Sequence, residues 1–80
     1  MTVRVLFFAY LRERCGVREA TMQLIEGATV EDLWRTLLAR YDRLSPEAPR
    51  FAVNRRYVNK DYPLNDNDEL ALIPPVSGGK

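Results

Sequence analysis

Apolar and polar positions set out the elements of this chain in order. Thr2–Phe8 is rich in β-branched and aromatic residues and predicts a first strand. Its side chains divide between two faces, Val3, Val5 and Phe7 on one and Arg4, Leu6 and Phe8 on the other. Tyr10–Arg14 suits a helix of about two turns, closed by Gly16 in a left-handed conformation. Glu19–Ile25 alternates as a second strand. The strongest signal follows: Val30, Leu33, Trp34, Leu37, Leu38 and Tyr41 recur at helical spacing and make one broad apolar face. Thr29 and Asp32, three residues apart, form a capping-box pattern at its start. Arg35, Arg40 and Asp42 fall largely off the apolar face.

Pro46 and Pro49 enforce a loop after this helix. Phe51–Asn54 predicts a short strand, with Tyr57–Val58 as a weaker partner across a turn at Asn54-Arg55-Arg56. Asn65–Asp68 is turn chemistry, Asn67 being able to adopt positive φ. Glu69–Ile73 is the last strand, stopped by Pro74-Pro75. The order predicts an α+β domain in two layers. Its mixed sheet of four or five strands carries the long helix on one face, with the short helix after the first strand. The first and last strands have the strongest β character and are expected at the centre. That is the β-grasp, or ubiquitin-like, arrangement. Residues 1–75 are expected to form it, and 76–80 a flexible arm.

Composition then removes whole classes of chemistry. The chain has no His and a single Cys, which leaves no set of four ligands for structural zinc and no Ser-His or Cys-His pair. With one Cys there is no disulfide framework, in keeping with a reducing, cytoplasmic setting. A net charge of +1 advertises no nucleic-acid binding. No apolar run approaches the roughly 20 residues needed to cross a bilayer, and Val3–Leu11 lacks the marks of a signal peptide. The expectation is a soluble protein with no bound metal or cofactor that is not catalytic alone.

What remains is the end of the chain. Two prolines stiffen its base, and a Gly-Gly end without Cβ atoms fits a narrow tunnel. The arm therefore reads as a carrier, its reactive group the Gly79 carboxyl, activated by a partner. A frayed terminus is the plainer alternative for such a tail. The alternation in the strands adds an interface. If the helix covers Val3, Val5 and Phe7, then Leu6, Phe8 and Ile73 form an apolar patch on the open side of the sheet, next to Pro74 and Pro75. The alternative is that loops bury these side chains.

Several segments together resemble the small subunits of molybdopterin synthase, a ubiquitin-like sulfur-carrier family. They are Val5-Leu-Phe-Phe-Ala9, Leu11-Arg-Glu13, Thr29-Val30 with Leu33, Ala52-Val-Asn54, Pro63-Leu64, Asp68-Glu69 and Ile73-Pro-Pro-Val-Ser-Gly-Gly79. The resemblance implies a sulfur carrier of molybdenum cofactor biosynthesis. An ATP-dependent activating enzyme would adenylate Gly79, and sulfur transfer would leave a thiocarboxylate. Val76, Ser77 and Gly78 would then enter the channel of the large synthase subunit, where the sulfur passes to cyclic pyranopterin monophosphate. Family complexes pair two small with two large subunits. Arg55 and Asn67 stand at turn positions where the family often has Gly.

Lys80 is the larger departure, since it holds the Gly79 carboxyl in an amide. A peptidase removes it, or it is a remnant foreign to the natural chain, or the natural chain continues into another domain. Carriers for thiamine or transfer-RNA thiolation, and modifiers joined to lysines, share the fold. A ubiquitin-like interaction domain without tail chemistry is the alternative from another class. Among the remaining residues, Cys15 reads as inert and partly buried rather than as a persulfide site, and Trp34 as core. Arg50, Arg55, Arg56 and Lys60 make a loose basic group that reads as a solvated face.

Overall fold

The computed structural model describes residues 1–44 and 47–74. The elements run β1 (Thr2–Phe7), α1 (Ala9–Cys15), β2 (Glu19–Gln23), α2 (Val30–Arg40), β3 (Arg50–Val53), β4 (Arg56–Val58) and β5 (Glu69–Ile73). The five strands lie in the order β2-β1-β5-β3-β4. β1 and β5 are parallel, and every other neighbouring pair is antiparallel. β1 and β5 are thus interior strands, as their composition predicts, and the layout is that of a β-grasp.

Helix α2 covers one face. Val30, Leu33, Trp34 and Leu37 are buried in one cluster with Val3, Val5 and Phe7 of β1, Phe51 and Val53 of β3, and Leu70 and Leu72 of β5. Each such side chain contributes about 1.5–3 kcal/mol by leaving water. The aromatic rings meet edge-on: Trp34 stands 5.8 Å from Phe51 and Phe7 5.6 Å from Tyr41.

The start of α2 is closely tied down. The backbone N–H of Asp32 donates to Thr29 Oγ1, and Thr29 N–H donates back to Asp32 Oδ2, which completes the capping box. The Val30 and Glu31 N–H groups donate to the carbonyls of Tyr62 and Lys60, at 3.0 and 2.8 Å. Each of these otherwise orphaned donors therefore has an acceptor. The loop before β5 supplies two of them, a long-range link that the local sequence does not signal.

Some boundaries differ from expectation. β1 stops at Phe7 because Phe8 is the cap of α1 and Ala9 turns to φ 52°. β2 ends at Gln23 rather than Ile25, and β3 starts one residue early and ends at Val53. Asn54 and Arg55 both take positive φ, 50° and 74°, as a two-residue turn between the paired Val53 and Arg56 requires. Gly16, at φ 75°, closes α1 as its position predicts, and Asn67 takes φ 70°.

Candidate functional site

The face of the sheet away from α2 is graded from polar to apolar. At the end where β5 begins, Arg4 and Glu69 are opposite each other and form an ion pair. One pleat further along, Leu6 faces Ala71, Ala71 faces Ala52, and Ala52 faces Tyr57. Beyond them come Phe8 and Ile73. The two alanines make a low floor. With Leu6, Phe8, Tyr57 and Ile73 around it, this floor forms an open depression of about 430 Å³, with Arg55 and Glu69 at its edge.

Exposure follows the same division. Phe7 points into the core and is 2% exposed, whereas Phe8 is 45% exposed and Tyr57 64%. Leu6, Ala71, Ile73 and Pro74 are half-buried. Leu6, Phe8 and Ile73 therefore share one apolar surface, and β5 leads from it directly into Pro74. The other residues expected at the site, Pro75, Val76, Ser77, Gly78 and Gly79, lie outside the described residues, as does Lys80.

Tyr57, Ala52 and Ala71 belong to this surface and were not singled out from sequence. A three-residue β4 is too short to reveal its own alternation. The signal available was the small residue between bulky neighbours in both Phe51-Ala52-Val53 and Leu70-Ala71-Leu72. The surface is rimmed by cations. Arg50, opposite Ile73, stacks its guanidinium 4.9 Å from the centre of the Tyr57 ring. Arg12, Arg18 and Glu19 border Leu6 and Phe8 on the other side.

The remaining candidate chemistry is sparse. Cys15 is half-buried against the core, and burial raises its thiol pKa. Among the described residues no cluster of three or more His, Cys, Asp or Glu is placed to hold a metal ion. None of the described helices is long and apolar enough to cross a membrane.

A five-stranded β-grasp sheet with one face covered by a helix and the other open and apolar up to Pro74 defines a ubiquitin-like protein. The chain belongs to the ThiS family, whose sequence model matches residues 5–79. It is 43% identical over 81 residues to the molybdopterin synthase sulfur carrier subunit of Escherichia coli strain K12, covering 96% of this chain and 99% of that one. Among solved structures it is similar to a putative molybdopterin converting factor, subunit 1, from Pyrococcus furiosus. There the TM-score is 0.87 at 35% identity, over 95% of this chain and 99% of the other. It also resembles a chain in the protein–protein complex of subunits 1 and 2 of the molybdopterin-converting factor from Helicobacter pylori 26695. That match has a TM-score of 0.70 at 27% identity, over 99% of this chain and 100% of the other.

Proposed function

We infer that this chain is the sulfur carrier subunit of a molybdopterin synthase. The observation that carries the reading is the full-length likeness to the molybdopterin synthase sulfur carrier subunit of Escherichia coli, at 43% identity, while the family match extends through Gly79 and so includes the segment that must do the chemistry. The carrier's own part is small. Its Gly79 carboxylate attacks the α-phosphate of ATP on an activating enzyme, pyrophosphate leaves, and the acyl adenylate forms. A sulfur donor then displaces AMP to leave the thiocarboxylate. In the large subunit that sulfur passes to cyclic pyranopterin monophosphate. A dithiolene needs two sulfurs, so two loaded carriers are consumed per product.

The open face supports this division of labour. An apolar surface with exposed Phe8 and Tyr57 loses water favourably against a partner, and its place beside Pro74 directs residues 75–79 into that partner. The Helicobacter pylori relative is found in complex with subunit 2 of its converting factor, and a corresponding large subunit is the partner proposed here. Leu6, Phe8, Ile73, Pro74 and Pro75 form the contact, Val76, Ser77 and Gly78 enter the channel of the large subunit, and the setting is cytoplasmic. The chemistry requires a Gly79 carboxyl free of Lys80.

A reconstitution tests the reading. Residues 1–79 carrying a Gly79 thiocarboxylate are mixed with the large subunit and cyclic pyranopterin monophosphate. Molybdopterin should appear as the carrier returns to the carboxylate. A thiocarboxylate that survives unchanged beside competent large subunit and substrate would sink the assignment.

A further inference from the structure

Resting on the reading that the open face docks the large subunit, we propose that Arg50 and Arg55 select that partner by charge. The surface that covers the depression carries carboxylates opposite these two guanidiniums. Strand register divides the basic group seen in the sequence. Arg56 pairs with Val53, whose side chain is buried on the α2 side. Arg50 instead lies two residues before Ala52 on the open side and pairs with Ile73. Arg55 borders the same depression from the β3–β4 turn.

Tyr57 stands between the two. It pairs with Ala52, and the Arg50 guanidinium lies 4.9 Å from its ring centre. Arg55, Tyr57 and Arg50 thus make one edge of the apolar floor, with about 10 Å of strand between Arg50 and the turn. Both arginines are exposed. Among the described residues the ion pairs are Arg4–Glu69 and Arg35–Glu31, and neither Arg50 nor Arg55 is paired with a carboxylate. A partner that covers the floor strips water from both. A desolvated cation without a counter-charge opposes binding, so the covering surface has to bring anions.

The rest of the face decides the occupant. Across the floor, Arg12 and Arg18 outnumber Glu19 beside Leu6 and Phe8. With Arg4 and Glu69 included, five arginines meet two glutamates on or beside this face, although the whole chain carries only +1. The remainder of the molecule is therefore net acidic. A second copy of this chain would set one cationic edge against another, which opposes self-association through this face. A nucleic acid would neutralise the edges but leave Leu6, Ala71 and Ile73 against a polyphosphate. A protein surface with an apolar centre and an acidic rim satisfies both parts.

The test measures, by calorimetry, the affinity of the full chain for the large subunit from the same cells. Between about 50 and about 500 mM sodium chloride, affinity should fall roughly tenfold or more as the attraction is screened. Arg50→Glu with Arg55→Glu should weaken the complex by roughly tenfold or more at low salt and abolish that salt dependence. Arg50→Lys with Arg55→Lys keeps both charges and should retain most of the affinity. Arg35→Glu with Arg43→Glu makes the same change of charge on α2 and just after it, and should alter affinity by less than about threefold. Urea unfolding of each variant verifies that it folds. An affinity lowered by Phe8→Ala but indifferent to salt and to the reversal would overturn the charge assignment and leave the docking reading standing. Tighter binding of the reversed variant, or a single-stranded oligonucleotide held as tightly as the large subunit, would also overturn it. Absence of any complex at either salt would overturn the docking reading, and this proposal with it.

Discussion

The side-chain amide of Asn54 donates to Asp68 Oδ1 at 2.9 Å, joining the β3–β4 turn to the residue before β5. The other Asp68 oxygen accepts from the Asn65 N–H at 2.8 Å, and Asn54 Oδ1 accepts from the Glu69 N–H at 3.1 Å. Asp68 is only 7% exposed, so its carboxylate replaces lost water with fixed donors. Asp68→Ala would strand those donors and is expected to cost about 1.5–3 kcal/mol in urea unfolding. Asp68→Asn keeps one acceptor oxygen and should cost less.

Arg55 holds φ at 74°, where a side chain is strained and glycine is not. Arg55→Gly completes an Asn-Gly turn of the type that two-residue hairpins favour. Thermal or urea denaturation should show stabilisation of about 1 kcal/mol, the relief expected at one left-handed position.

Phe7 and Phe8 are neighbours with opposite roles. Phe7→Ala empties a core position and is expected to cost about 3–5 kcal/mol, enough to leave so small a domain largely unfolded. Phe8→Ala should change stability by no more than about 0.5 kcal/mol. Its effect belongs to the partner: the affinity for the large subunit, measured by calorimetry, should fall by roughly tenfold or more.

Burial raises the pKa of Cys15, so the folded chain holds this thiol protonated where an unfolded one begins to ionise. Alkylation by iodoacetamide at mildly alkaline pH should therefore be slower in the folded chain than in urea. Because the folded state binds this proton more tightly, the contribution is complete below the unfolded pKa. It falls as pH rises through the folded one. Cys15→Ala should flatten that alkaline decline.

Much of this architecture was legible because local and global signals agree. The Thr29–Asp32 spacing forecasts a capping box that forms, and the period of Val30, Leu33, Trp34 and Leu37 forecasts the face that α2 buries. Alternation in β1 and β5 separates Leu6 and Ile73 from Val5 and Leu72. What escaped notice depends on residues distant in sequence. The Asn54–Asp68 link spans fourteen positions, and Tyr57 joins the open face only through a register set by Ala52. Positive φ at Ala9 had no residue-level cue, since alanine rarely adopts it.

The central claim concerns one atom, the carboxyl carbon of Gly79, and intact mass spectrometry of the chain isolated from its own cells tests it most directly. The account predicts a species ending at Gly79, without Lys80, in which one oxygen of the terminal carboxyl is replaced by sulfur. A cellular population that ends in unmodified Lys80 throughout, in cells making molybdopterin, would contradict it.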